Sequence, residues 1–205
     1  MTFMIGQKFP TTTVNAVMAN GSINEEFSVS NYADGNYSVV FFYPLDFTFV
    51  CPTEILAFNK AATEFEKRGC KLIGASVDSH FSHAAWRDTP LAKGGIGPVD
   101  FPLISDMERK LSSELGILAD GGVTYRAAYL IDGKGVVRHM VINDLPLGRN
   151  VEEMLRMVDA LEFFEKNGEV CPANWTQGEE GLQTTSESTG AYLAKKHGTS
   201  TTAAA

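Results

Sequence analysis

The sequence predicts an α/β organisation, and three observations carry it. Short β-branched and aromatic runs alternate with longer stretches of helical apolar spacing. The turn signal Asp132-Gly-Lys-Gly135 joins two of the runs as a hairpin. From about residue 168 the apolar anchors thin out, so the folded unit ends near Asn167-Gly168 and an arm follows. Residues 38–43 (SVVFFY) form the first strand and stop at Pro44. Residues 52–67 place Ile55, Phe58, Ala62 and Phe65 at helical spacing, with Glu54, Lys60, Glu64 and Lys67 between them. Residues 71–77 (KLIGASV) form the next strand, and like the first they are apolar enough to be covered on both faces. Ser79 caps a helix running through His83 and Trp86, where exposure is expected of the histidines. Residues 127–131 and 136–142 are the arms of the hairpin. Asn150 caps a longer helix whose stripe is Val151, Met154, Leu155, Val158 and Leu161. The resulting division is a domain at 1–167 and an arm at 168–205, with fraying expected in the low-complexity last residues.

Composition narrows the function. Lys and Arg number 17 against 25 Asp and Glu, a formal charge of −8, which disfavours nucleic acid and anionic lipid as partners. No apolar run approaches the roughly 20 residues of a membrane helix. The first ten residues lack a basic n-region and an apolar h-region, so the chain is expected to be unexported and cytoplasmic. Three cysteines, Cys51, Cys70 and Cys171, are too few for a disulfide scaffold. His80, His83, His139 and His197 do not stand at zinc spacing with them, and no metal or cofactor is implied.

Chemistry concentrates around Cys51. It follows a strand by a few residues and opens a helix in which Pro52 takes the favoured first position. A sulfur there faces free backbone N–H groups and the positive end of the helix dipole, both of which favour thiolate. A thiol of pKa about 8.5 is only about 3% ionised at pH 7. Lowering that pKa to about 6 ionises about 90%, a gain in rate of roughly 30-fold. Cys70, at the start of a strand with no helix after it, is expected only to pack. Gly94-Gly-Ile-Gly97 follows no strand and has no P-loop lysine, so it is expected to be a flexible surface loop.

Pro44-x-x-x-Thr48-x-x-Cys51 resembles the peroxidatic motif of peroxiredoxins. The longer string FYPLDFTFVCPTE (42–54) is similar to that of the typical 2-Cys branch, which includes the peroxidase component of bacterial alkyl hydroperoxide reductase. The likeness continues through Gly94-Gly-Ile-Gly97, Tyr125-Arg126, Asp144-Leu-Pro-Leu-Gly-Arg149 and Gly168-Glu-Val-Cys171-Pro-Ala, covering about residues 3–176. It implies a thioredoxin-like fold with a central mixed sheet flanked by helices and a C-terminal arm. It also implies a thiol peroxidase acting on hydrogen peroxide and organic hydroperoxides, serving antioxidant defence and redox homeostasis. In that reading Cys51 is the peroxidatic cysteine and becomes a sulfenic acid. Thr48 offers a hydroxyl to sulfur and peroxide, Pro44 shields the sulfur, and Arg126 holds the peroxide oxygens. Glu54 and Arg149 orient Arg126. Cys171 is the resolving thiol, which the resemblance pairs with Cys51 of a second subunit. A homodimer is implied, with the arm and Trp175 lying on the neighbour, and so is assembly into decamers. The reductant implied is thioredoxin or a flavoprotein disulfide reductase.

Some positions depart from that pattern. Asn174 stands where many relatives carry Gly, Ile96 where Leu is common, and Tyr192-Leu193 where over-oxidation-prone members carry Tyr-Phe, which suggests intermediate sensitivity. A thioredoxin-like dithiol oxidoreductase is disfavoured because Cys51-Pro-Thr-Glu54 is not Cys-x-x-Cys. A ring-forming holdase role is compatible with the sequence as a second activity. One-cysteine peroxidase chemistry with an external thiol would require Cys171 to be idle.

Overall fold

The computed structural model describes residues 3–198; the low-complexity end expected to fray lies outside the described residues. In chain order the elements are β1 (Val14–Val17), β2 (Ile23–Phe27), α1 (Val29–Ala33), β3 (Tyr37–Phe42), α2 (Cys51–Lys60), α3 (Ala62–Lys67) and β4 (Cys70–Ser76). There follow α4 (His80–Asp88), a 3-10 turn (Leu91–Lys93), β5 (Leu103–Ser105), α5 (Lys110–Glu114), β6 (Arg126–Ile131), β7 (Val137–Asn143), α6 (Val151–Asn167) and α7 (Ser186–His197). The strands form one sheet in the order β2-β1-β5-β4-β3-β6-β7. β3, β4 and β5 run parallel and the outer pairs antiparallel, which makes the sheet mixed. This is the thioredoxin-like α/β fold expected from the sequence.

β3 is central because almost every residue in it can be buried. On one face Val40 and Phe42 join Phe9, Val29, Ile73, Ile104 and Tyr129 in the main core. On the other, Phe41 stacks on Phe58 of α2 with centroids 4.1 Å apart and meets Phe101 edge-on at 5.5 Å. The stack fixes α2 against the sheet and so places Cys51, its first residue, beyond the C-terminal end of β3. The hairpin forms as expected: Asp132 accepts from the Lys134 and Val136 amides, and Gly135 takes φ +76°. Gly133 is required there, since a Cβ would stand 2.2 Å from the Gly35 carbonyl oxygen.

Four details differ from the sequence reading. The single helix expected over 52–67 divides at Ala61 into α2 and α3. The Gly94–Gly97 loop is packed rather than free: Trp86 Nε1 donates to the Gly94 carbonyl, Ile96 is buried, and a Cβ on Gly95 would collide with Thr89. His83 is fully buried because Asp46, 37 residues earlier, reaches it with a carboxylate. Trp175, expected on a neighbouring subunit, is buried on its own chain, where it packs 4.8 Å from Phe163 and donates to the Glu179 carbonyl.

The chain divides into two compact units, residues 1–155 and 156–205. The second holds most of α6, Cys171 and α7. Within it the Arg156 guanidinium donates to the Trp175 carbonyl and Cys171 Sγ lies 3.4 Å from the Ala160 carbonyl oxygen. Asn174 has φ +60°, a conformation that suits Gly best and Asn next, so the departure at this position is accommodated.

Candidate active site

Residues 43–50 form the loop between β3 and α2, and Asp46 anchors it. Its carboxylate accepts from Tyr43 Oη (2.9 Å) and pairs with His83 Nδ1 of α4 (2.8 Å), while its amide donates to Asp78 Oδ2 (2.9 Å). His83 Nε2 meets the Ile104 carbonyl at 3.0 Å, so both nitrogens of the ring are held. Burial, then the facing Asp46 carboxylate, pushes the Asp78 carboxyl up, while the Ser76 hydroxyl and the Asp46 amide oppose. Pro44 is buried at the start of this loop, and Phe47 within it takes φ +53°, a left-handed conformation costly for a bulky side chain.

Cys51 is fully buried. Thr48 Oγ1 lies 2.9 Å from its sulfur and 2.7 Å from the Leu45 carbonyl oxygen. Arg126, first residue of β6, points Nη1 at the sulfur from 3.5 Å. The helix N-terminus contributes fewer free donors than expected: Pro52 has no N–H, and the Thr53 and Glu54 amides both donate to the Val50 carbonyl. The donors on the sulfur are therefore a hydroxyl and a guanidinium.

Glu54, one turn into α2, holds two arginines. Oε2 accepts from Arg126 Nη1 (2.7 Å), and Oε1 accepts from Arg149 Nε (2.8 Å) and the Arg149 amide (2.9 Å). Burial pushes the Glu54 carboxyl up, but the Arg149 hydrogen bonds and charge, joined by Arg126, outweigh it and hold the carboxyl below its usual range. Arg149 itself is pulled down by burial, against Glu54. Its guanidinium lies 5.5 Å from the Phe41 ring centroid and 5.9 Å from that of Phe58, so the stack that places α2 also cradles this charge. Arg126 Nε donates to the Leu145 carbonyl (2.6 Å), while its Nη2 makes no hydrogen bond among the described residues.

The structure thus brings Cys51, Thr48, Arg126, Glu54 and Arg149 into one cluster, with Pro44 at the start of the loop that carries Thr48. Cys171, in the second unit, is half-buried; burial raises its thiol and the Arg156 charge opposes. Cys70 is buried in β4 and desolvation pushes it up to about 12. No group of three His, Cys, Asp or Glu among the described residues is placed to hold a metal. No helix among them is long and apolar enough to cross a membrane. Sequence reading missed the Asp46–His83 anchor, the Leu145 carbonyl and Asn143, whose amide donates to the Leu147 and Gly148 carbonyls.

A buried cysteine at a helix start, with a hydroxyl and a guanidinium turned on its sulfur, defines a thiol-nucleophile enzyme on a thioredoxin-like scaffold. Comparison with known proteins narrows the class. The AhpC/TSA family model matches residues 5–140, and the model for the C-terminal domain of 1-Cys peroxiredoxin matches 160–195. The chain is 47% identical to alkyl hydroperoxide reductase C of Buchnera aphidicola, over 94% of this chain and 98% of that one. It is 48% identical to bovine peroxiredoxin-2, over 93% and 95%. The crystal structure of the reduced 2-Cys peroxiredoxin of Plasmodium vivax superposes with a TM-score of 0.91 at 42% identity, covering 94% of this chain and all of the other. The chain belongs to the AhpC/TSA family, among the typical 2-Cys peroxiredoxins, and is a peroxidase that reduces peroxides through a cysteine.

Proposed function

We propose that Cys51 is the peroxidatic cysteine, that Cys171 resolves it across a homodimer, and that a dithiol protein recycles the disulfide. The observation that carries the reading is the convergence of Thr48 Oγ1 (2.9 Å) and Arg126 Nη1 (3.5 Å) on Cys51 Sγ. The thiolate is the nucleophile. Its electron pair forms the S–O bond to the terminal oxygen of the hydroperoxide, the O–O bond breaks, and the leaving oxygen takes a proton to become water or an alcohol. Thr48 has one hydroxyl proton and two neighbours, the Leu45 carbonyl and the sulfur. Directed to sulfur it stabilises the thiolate; directed to the carbonyl it leaves a lone pair for the hydroperoxide O–H. The Nη2 of Arg126 supplies a donor for the oxygen on which charge develops.

Charge balance supports the same assignment. Arg126, Arg149 and Glu54 sum to +1 in a buried setting, and a thiolate at Cys51 brings the cluster to zero. The Cys51 sulfenic acid then condenses with the Cys171 thiol, releasing water and leaving the disulfide. A dithiol reductant, thioredoxin or a flavoprotein disulfide reductase, returns both thiols and leaves oxidised. In this reading residues 1–167 are the peroxidase domain, 168–205 the resolving arm, and hydrogen peroxide and organic hydroperoxides the substrates. The protein works in the cytoplasm.

Two surface features support assembly. β7 is the last strand of the sheet; residues 6–9 cover the start of its outer edge at Val136 and Val137, and the rest of that edge pairs with no strand among the described residues. Phe49 (91% exposed) and Phe47, in the loop leading to Cys51, and Phe81 on α4 are exposed apolar side chains that a ring of dimers would cover. The test is to reduce the protein, add one equivalent of hydrogen peroxide, block thiols, and take intact masses and disulfide maps. A covalent dimer joined Cys51 to Cys171 is expected, and Cys171→Ser is expected to stop after one turnover as sulfenic acid. Three free thiols would overturn the assignment, and a Cys51–Cys171 bond within one chain would overturn the pairing.

A further inference from the structure

We propose that Asn143 is a positioning residue for the peroxide step, acting through the loop of residues 144–149 on Arg126. The inference rests on the role given above to Arg126. Asn143 closes β7 and faces Arg126 in the β6–β7 register. The pairing fixes the Arg126 backbone but leaves a long side chain whose direction must be set by other contacts. Two of these come from the loop that begins immediately after Asn143. The Leu145 carbonyl accepts from Arg126 Nε at 2.6 Å, and Arg149 meets Glu54, which in turn holds Arg126 Nη1. Arg126 is therefore held on one side by the first part of this loop and, through Glu54, by its last residue.

Few contacts give that loop its path. The Leu147 amide donates to the Asp144 carbonyl and closes one turn. The Leu145 amide donates to Asp144 Oδ1. The Asn143 side chain is the contact that spans it: Nδ2 donates to the Leu147 carbonyl (3.1 Å) and the Gly148 carbonyl (3.3 Å). Both partners are acceptors only, so the two N–H bonds of the amide match them, and neither aspartate nor alanine can replace that pair. Gly148 also lies against Val50, the residue before Cys51, since a Cβ built on it would stand 3.5 Å from Val50 Cγ1. A loop released from Asn143 loses its hold on the Leu145 carbonyl, although Arg149 keeps the Ala127 carbonyl and Glu54 at the loop's far end. The Arg126 guanidinium then samples directions that do not serve the hydroperoxide, and small misplacements of this kind are costly to rate.

The experiment measures the single-turnover oxidation of Cys51 by hydrogen peroxide in the full-length reduced protein, alone and in combination with Arg126→Ala. Asn143→Ala is expected to slow this step about tenfold, and Asn143→Asp more, because its carboxylate faces two carbonyl oxygens. Asn143→Ser, which keeps one donor, should fall between the wild type and Asn143→Ala. In the Arg126→Ala background the Asn143→Ala effect should shrink to within about twofold, since the arginine it positions is gone. Alkylation of Cys51 by iodoacetamide, its rate divided by the thiolate fraction read from the pH profile, gives a readout that loosened packing would move and loss of peroxide positioning would not; it should stay within about twofold of wild type in Asn143→Ala. An Asn143→Ala effect equal in both backgrounds, or absent, overturns the proposal. If Arg126→Ala alone leaves peroxide oxidation unchanged, the role of Arg126 fails instead.

Discussion

Glu54→Gln tests whether the buried charge cluster stabilises the fold as well as the site. The substitution keeps an acceptor for the Arg149 amide and Nε, but it presents an N–H₂ to Arg126 Nη1, where a carboxylate oxygen stood at 2.7 Å. The Glu54 side chain is 3% exposed, Arg126 5% and Arg149 1%, so water cannot replace the lost charge. Removing one partner from a buried ion pair costs about 3–5 kcal/mol. Arg149 keeps its acceptor in Gln, so the lower end, about 3 kcal/mol, is expected. In a chain of 205 residues that lowers Tm by about 6–12 °C. The assay is urea denaturation of the reduced protein, wild type against variant, from pH 7 downwards. The folded-state pKa of Glu54 is depressed below the ordinary 4.5, so its stabilising contribution is fully present above that value. It is lost as pH falls through the depressed folded value. The difference between the two proteins should therefore be constant near neutrality and close as acid protonates Glu54. No difference at pH 7, or a difference that widens in acid, would refute the argument.

Cys70 should be chemically silent. With its thiol pushed up to about 12, only about one molecule in 10⁴ carries a thiolate at pH 8. Iodoacetamide at that pH should leave it unlabelled in the native protein while labelling Cys171. The raised pKa adds stability below the ordinary 9.0 that disappears as pH rises from 9 towards 12, so Cys70→Ser should flatten the alkaline arm of the stability profile. Thr48→Val removes the hydroxyl 2.9 Å from the sulfur and should slow single-turnover peroxide oxidation about 10²-fold, whereas Thr48→Ser should stay near wild type. Equal rates for the two variants would remove the hydroxyl from the mechanism.

The sheet's centre was legible because burial on both faces leaves an apolar run that needs no context. β3, β4 and β6 announce themselves in this way, β7 follows from the Asp132-Gly-Lys-Gly135 turn, and the Ser79 and Asn150 caps mark their helices with side chains that accept from Ser82 and Glu153. β1, β2 and β5 were not legible. β5 has three residues, and four of the five in β2 are exposed; both are strands because a neighbour pairs with them, not because their own pattern demands it. His83 looked like a surface residue for a similar reason. Nothing within a helical turn of it reveals that a carboxylate from the Cys51 loop is its partner.

The site divides along the same line. Cys51 could be proposed from its strand-to-helix setting, whereas Thr48 and Arg126 were named by the resemblance of their motifs to those of peroxiredoxins, since a lone threonine or arginine at these positions carries no signal of its own. Of the groups that aim Arg126, the resemblance also named Glu54 and Arg149; the others are different in kind. The Leu145 carbonyl and the Arg149 amide are backbone atoms, present at every residue except for the N–H of proline, and no letter of the sequence marks where they point. What fixes them is the path of residues 144–149, and that path is held by an asparagine whose side chain hydrogen-bonds to two carbonyls of the loop and to neither sulfur nor arginine. A search for chemistry-bearing residues passes over Asn143 for that reason. It becomes visible only when the hydrogen bonds of Arg126 are followed outward until each acceptor has been accounted for by whatever holds it in place.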